Sequence, residues 1–195
     1  MKRLIMILLS LTMVFSLVAC RDKQETAEQA VNNALTAVQK LDIITMAKYI
    51  DLDKIKDQQL PGDFDIDISD IDKEDIEKVK LLVKNFDFEI IESNEKENSA
   101  IVKVKITNLD MREIFKEYFM YALGLVFTES DENIIEEKLE AKFVELLDTT
   151  DLKLASQEVD IALNKIEGNW KLDLNQTALD AILGGLMDIA NKFDY

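Results

Sequence analysis

Carboxylates carry most of the chemical potential in this 195-residue chain: 39 acidic residues stand against 23 basic ones, with no histidine, one cysteine and a formal net charge of −16. The densest patterned run is DFDIDISDIDKE, from Asp63 to Glu74. Within it Asp63, Asp65, Asp67 and Glu74 take positions one, three, five and twelve of a calcium-binding loop, where hard oxygen ligands surround a hard cation. Position six of such a loop is glycine, because the turn is sharp, and here it is Ile68. Phe64, Ile66 and Ile68 alternate with the aspartates and equally describe an edge strand with an acidic outer face. A solvated acidic strand or loop is therefore the leading reading, and an ion-responsive module the alternative. The stretch from Asp51 to Asp75 sums to −7, crowding that a cation or a basic partner would relieve.

The missing residue types exclude more than the present ones assign. Without imidazole there is no Ser/His/Asp or Cys/His pair, and one thiol makes neither an internal disulfide nor a thiolate metal cage. Glycine-rich phosphate loops are absent, so no cofactor is expected. Carboxylate pairs are abundant, but none sits on an apolar strand face where burial would raise its pKa; Asp160 and Asp173 belong to polar strand faces. A non-enzyme is expected, with a carboxylate-dependent extracytoplasmic enzyme as an alternative. Nucleic acid is set aside as a partner, since phosphate backbones are held by lysine and arginine.

The apolar counterpart of these acids is YFMYALGLVF, Tyr118 to Phe127, ten uncharged residues and too few to span a bilayer. Being apolar on all sides, it is expected as the central helix of the domain. A second reading has the face around Tyr118, Met120 and Tyr121, together with Trp170, line a ligand pocket or meet a partner protein, for which aromatic and methionine side chains are suited.

The single thiol has the clearest context. Lys2 and Arg3 precede an uncharged, mostly apolar stretch from Leu4 to Ala19, the layout of an export signal. Leu17, Val18, Ala19 and Cys20 resemble a bacterial lipobox. That resemblance implies a diacylglycerol on the Cys20 thiol, cleavage before it, and a membrane-anchored protein facing the extracytoplasmic side. Each buried CH2 of an acyl chain contributes about 0.8 kcal/mol, so two or three chains anchor durably. Cleavage removes Lys2 and Arg3 and no acid, taking the net charge from −16 to −18.

The elements that must position these residues are legible from periodicity. Residues 1–19 are the signal, 20–25 the lipidated cysteine and a short tether, and 26–195 a single α+β domain. Thr26 and Gln29 form a capping box ahead of Ala27, Ala30, Val31, Ala34, Leu35 and Val38 at helical spacing. Asp42 caps a second short helix, and Pro61-Gly62 breaks the chain. A third helix is expected from Asp72 to Lys84. A strand from Phe86 and a loop from Ser93 precede Val102, Val104 and Ile106, which alternate with polar residues as a half-buried strand. Helices are predicted over Met111 to Phe127 and Asp131 to Leu147. In the second hairpin Val159, Ile161 and Leu163 form one face, Gly168-Asn169 turns, and Trp170, Leu172 and Leu174 return. Leu152 and Leu154 are out of phase with Val159, which predicts a bulge or break near Ser156. Thr177 is read as the cap of one long C-terminal helix through Phe193, in which Gly184-Gly185 either allow close helix approach or weaken the helix. The expected fold is N-terminal helices and that long helix packed on a curved antiparallel sheet, with a helical insertion between two hairpins.

The opening AEQAVNNALTAVQKLDIITMAKYI and the closing KIEGNWKLDL resemble extracytoplasmic lipoproteins of the nuclear-transport-factor-two-like superfamily. The resemblance implies a curved sheet wrapped around a helix as a cone, often with a pocket at the wide end. Within that superfamily fold does not select activity. The function expected is non-catalytic binding of a small apolar ligand or of a protein partner in the cell envelope.

Overall fold

Helix starts in this chain are set by short polar side chains. The computed structural model describes residues 24–50, 73–149 and 152–193. Helix α1 (Ala27–Lys40) opens on the expected box: the Gln29 N–H donates to Thr26 Oγ1 at 3.2 Å and the Thr26 N–H to Gln29 Oε1 at 3.1 Å. Two donors that a helix leaves open are thereby satisfied. Its apolar residues fall on one buried face. Asp42 caps α2 (Ile43–Tyr49) through the Thr45 N–H at 3.1 Å. The chain continues through α3 (Lys73–Val83), β1 (Asp87–Glu95), β2 (Ser99–Leu109), α4 (Met111–Thr128), α5 (Glu132–Asp148), β3 (Leu154–Ile166), β4 (Asn169–Asp173), α6 (Gln176–Ile182) and α7 (Leu186–Phe193).

The strands form one antiparallel sheet in the order β1–β2–β3–β4. Period-two patterning sends Val102, Val104, Ile106, Val159, Ile161, Leu163, Trp170 and Leu172 to one face, where they pack against α1, α2 and α6 as the main core. A second cluster joins Leu109, Met111, Ile114, Leu146 and Leu147 at the root of the α4–α5 hairpin, with Leu81 and Leu82 of α3 and Leu186 of α7 against it. The fold is α+β, helices on a four-stranded antiparallel sheet, with the helical pair inserted between two hairpins.

Four local expectations are corrected. No bulge occurs at Ser156: β2 and β3 pair without a shift from Ser99↔Asn164 to Leu109↔Leu154. The phase conflict is resolved by leaving Leu154 on the outer face, 53% exposed. The sheet's irregularity lies in β1 between Ile90 and Glu92. There the extra residue, Ile91, is exposed, as a bulge requires. The loop from Ser93 begins later, because β1 continues to Glu95.

The long C-terminal helix is instead two helices. Asn175, not Thr177, caps α6 by accepting the Ala178 N–H at 2.9 Å. The break falls on Gly184 and Gly185, with φ of 64° and 88°, a region glycine enters without a Cβ penalty. The turn lets the chain touch β2: a Cβ on Gly184 would lie 1.9 Å from the Leu109 carbonyl oxygen. The Gly184 carbonyl accepts the Met111 N–H at 3.0 Å. Asn108, buried beside this turn, donates to the Ile182 carbonyl at 2.7 Å and accepts the Leu109 N–H at 2.8 Å.

Candidate functional site

Helices α4 and α5 are joined at their tip by a carboxylate. Glu129 accepts the Ser130 N–H at 3.1 Å and the Asp131 N–H at 3.4 Å, while its other oxygen meets Lys138 at 3.1 Å. These donors, Lys138 first, hold its carboxyl below the ordinary carboxylate range. Asp131 then caps α5 by accepting the Asn133 N–H at 3.0 Å. With both ends tied, the hairpin places Tyr118 edge-on to Phe143, ring centroids 5.7 Å apart.

Between the helices lies a groove of about 520 Å³. Tyr118, Ile135, Leu139 and Phe143 make its apolar floor, and Glu132, Glu136 and Glu140 its rim. Four-residue spacing puts those glutamates on one side of α5. The lysines of α5 are engaged elsewhere, Lys138 with Glu129 and Lys142 with Glu145 at 2.8 Å, so neither neutralises Glu132 or Glu136. Lys142 also stands 5.7 Å from the Tyr121 ring, and its bond to Glu145 raises its pKa. The result is an apolar channel with a negative edge.

Of the residues singled out from sequence, Tyr118 lines this groove, whereas Tyr121 is outside its lining and meets Lys142. Met120, 64% exposed, stands two positions from Tyr118 and so on another side of the helix. Trp170 is corrected outright. It is 1% exposed in the main core, and its indole N–H donates to the Glu25 carbonyl at 2.9 Å. Its alternation with Leu172 already placed it on the inward face, and burial removes it from any binding surface. Asp63, Asp65 and Asp67 lie outside the described residues, as does Cys20. Glu74 falls in α3, and nothing further is described of its side chain. Among the described residues, no group of three or more acidic, cysteine or histidine side chains is placed to hold a metal ion, and no helix is long and apolar enough to cross a membrane. Asp160 lies on the outer sheet face, 3.1 Å from Lys103.

The expectation of a central, fully buried helix for Tyr118 to Phe127 is also overturned. Leu125 is buried, but Phe119, Leu123, Val126 and Phe127 are exposed, the last at 87%. Among the described residues α5 meets this stretch with a single apolar stripe, and a single stripe buries only one side of an all-apolar helix. Ile135, Leu139 and Phe143 were readable as that stripe. That it would be left partly open was not.

No family model matches the chain, and no curated protein matches it. Among solved structures it is similar to a protein proposed to be a lipoprotein (ycdA) from Bacillus subtilis subsp. subtilis str. 168, at 16% identity and a TM-score of 0.41. The likeness covers 55% of this chain and 34% of that one, so the chain spans about a third of that structure's length.

Proposed function

We propose that this protein is a lipid-anchored, extracytoplasmic, non-catalytic binding module, held to the membrane at Cys20 and engaging a protein partner through the α4–α5 hairpin. The observation that carries the reading is the apolar floor of Tyr118, Ile135, Leu139 and Phe143, on a hairpin whose first helix also leaves Val126 and Phe127 exposed. An apolar surface of this kind on a water-exposed domain marks an interaction site. The acidic rim favours a partner helix that lays apolar residues at three- and four-residue spacing into the groove and turns lysine or arginine toward Glu132 and Glu136. Those rim carboxylates stand in solvent, not in the apolar enclosure that carboxylate acid catalysis uses. The anchor rests on the export-signal layout ending in Leu17-Val18-Ala19-Cys20. The nuclear-transport-factor-two-like resemblance rests on the opening helices and the closing hairpin. The space between sheet and α1 is filled by Leu35, Ile161, Leu163 and Trp170.

A second reading, a small apolar ligand in the same groove, is favoured by its volume, about 520 Å³, which lies in the range of small-molecule sites, roughly 300–1,000 Å³. One experiment separates the two. A photo-crosslinking residue at Ile135 of the membrane-anchored protein should capture a discrete protein, and Leu139→Asp should abolish the adduct in a chain that still folds. Capture unaffected by Leu139→Asp defeats the partner reading. An apolar molecule that stays with the purified protein, and is lost in Leu139→Asp, supports the ligand.

A further inference from the structure

The start of the domain is pinned more firmly than a tether requires. Glu25 lies five positions after Cys20. Its backbone carbonyl accepts the Trp170 indole at 2.9 Å. Its carboxylate accepts the Tyr49 hydroxyl at 2.6 Å and the Asn33 amide at 2.7 Å. The Tyr49 oxygen in turn accepts from Asn33 and from Lys48, each at 3.1 Å. Because Trp170 and Tyr49 are buried, Glu25 moves only with the core. Four residues, 21 to 24, separate it from Cys20, and five steps of fully extended chain reach no more than about 18 Å.

The pin sits at one end of the sheet and the groove begins at the other. Beside Glu25, Glu95 of β1 accepts the Ala27 N–H at 2.8 Å. The Lys165 N–H reaches the Asn98 carbonyl at 3.0 Å, which brings the β1–β2 and β3–β4 turns together. Lys165 lies over the Trp170 ring at 4.4 Å, and Lys171 donates to the Lys48 carbonyl at 2.6 Å. The opposite end of the eleven-residue β2 runs directly into α4, and the Asp110 N–H bonds the Lys153 carbonyl there at 2.9 Å. At ~3.3 Å per residue, β2 puts on the order of 30 Å between the pin and the root of the hairpin.

We infer that the turn end of the sheet rests on phospholipid headgroups and that the strands stand as a strut, presenting the α4–α5 groove on the order of 30 Å out from the bilayer. The inference rests on the lipid-anchor half of the proposed function. Charge acts in the same direction. Residues 110–153, which carry the groove, hold 12 acids against 5 bases. At the pinned end the placed side chains Lys48, Lys96, Lys165 and Lys171 stand among Glu25, Glu28, Glu95, Glu97 and Glu167, close to balance, while the acidic run that begins at Asp51 lies outside the described residues. An anionic leaflet therefore repels the groove end more strongly than the charges placed at the turn end. The partner's binding helix must then stand clear of the bilayer, in the soluble part of another envelope protein.

The test uses the full lipidated chain in vesicles of phosphatidylcholine with a minority of phosphatidylglycerol and a headgroup acceptor dye. The chain's one cysteine is blocked by its lipid, so a donor attaches uniquely at Asn164→Cys or at Ser156→Cys. Both positions are exposed on β3, on the same face and eight residues apart, which is about 26 Å along the strand. Energy transfer from position 164 should exceed that from position 156 several-fold. Equal transfer, from a sheet lying flat, or greater transfer from position 156 overturns the strut while leaving the anchor intact. A chain that does not float with the vesicles overturns the anchor and the strut together.

Discussion

Two positions decide whether the core closes. Trp170, the chain's one tryptophan, fills the sheet–helix core and bonds the Glu25 carbonyl. Trp170→Phe keeps most of the volume but orphans that carbonyl, so it should cost about 1–3 kcal/mol in urea unfolding. Gly184→Ala meets both a left-handed backbone and the Leu109 carbonyl. Destabilisation of more than about 2 kcal/mol is expected for a strained φ together with a backbone clash, and calorimetric melting reads it directly. Sequence identified Trp170 as inward by its phase with Leu172, yet aromatic type alone also made it a candidate for a binding surface. Alternation was the better guide, because the face a strand residue takes is geometric while its exposure depends on what covers that face.

At the scale of elements, the α4–α5 hairpin combines a stable root with an open flank. Phe127→Ser removes an exposed side chain, so stability should change by no more than about 0.5 kcal/mol while partner capture at Ile135 falls. A fall in both would mean that the hairpin tip is structural. Glu129 offers a pH readout. Its folded pKa is depressed by Lys138 and the two backbone donors, so its contribution is present above its unfolded pKa and is lost as pH falls through the folded value. A carboxyl-carbon NMR titration should place Glu129 below an ordinary glutamate, and Lys138→Met should move it back upward. Helix existence and register were readable here because both follow from residues three and four apart. The exposure of Phe127 was not, since it depends on how many neighbours the hairpin finds.

For the whole molecule, the sheet links two ends of different character. Cys20→Ala should shift the protein from the membrane fraction to the soluble fraction of the envelope, and a variant that stays bound defeats the lipidation reading. The acidic character, the export-signal layout around Cys20, the order of helices and hairpins, and the inward faces of the strands are all written in the residues themselves. Each of these depends on composition or on a local period. Packing between elements sets the break of the C-terminal segment at Gly184 against β2, the outward placement of Leu154 without a bulge, and the open side of the apolar helix α4. Those outcomes depend on which elements meet and how much surface each can cover. Such relations between distant segments are not carried by any local pattern.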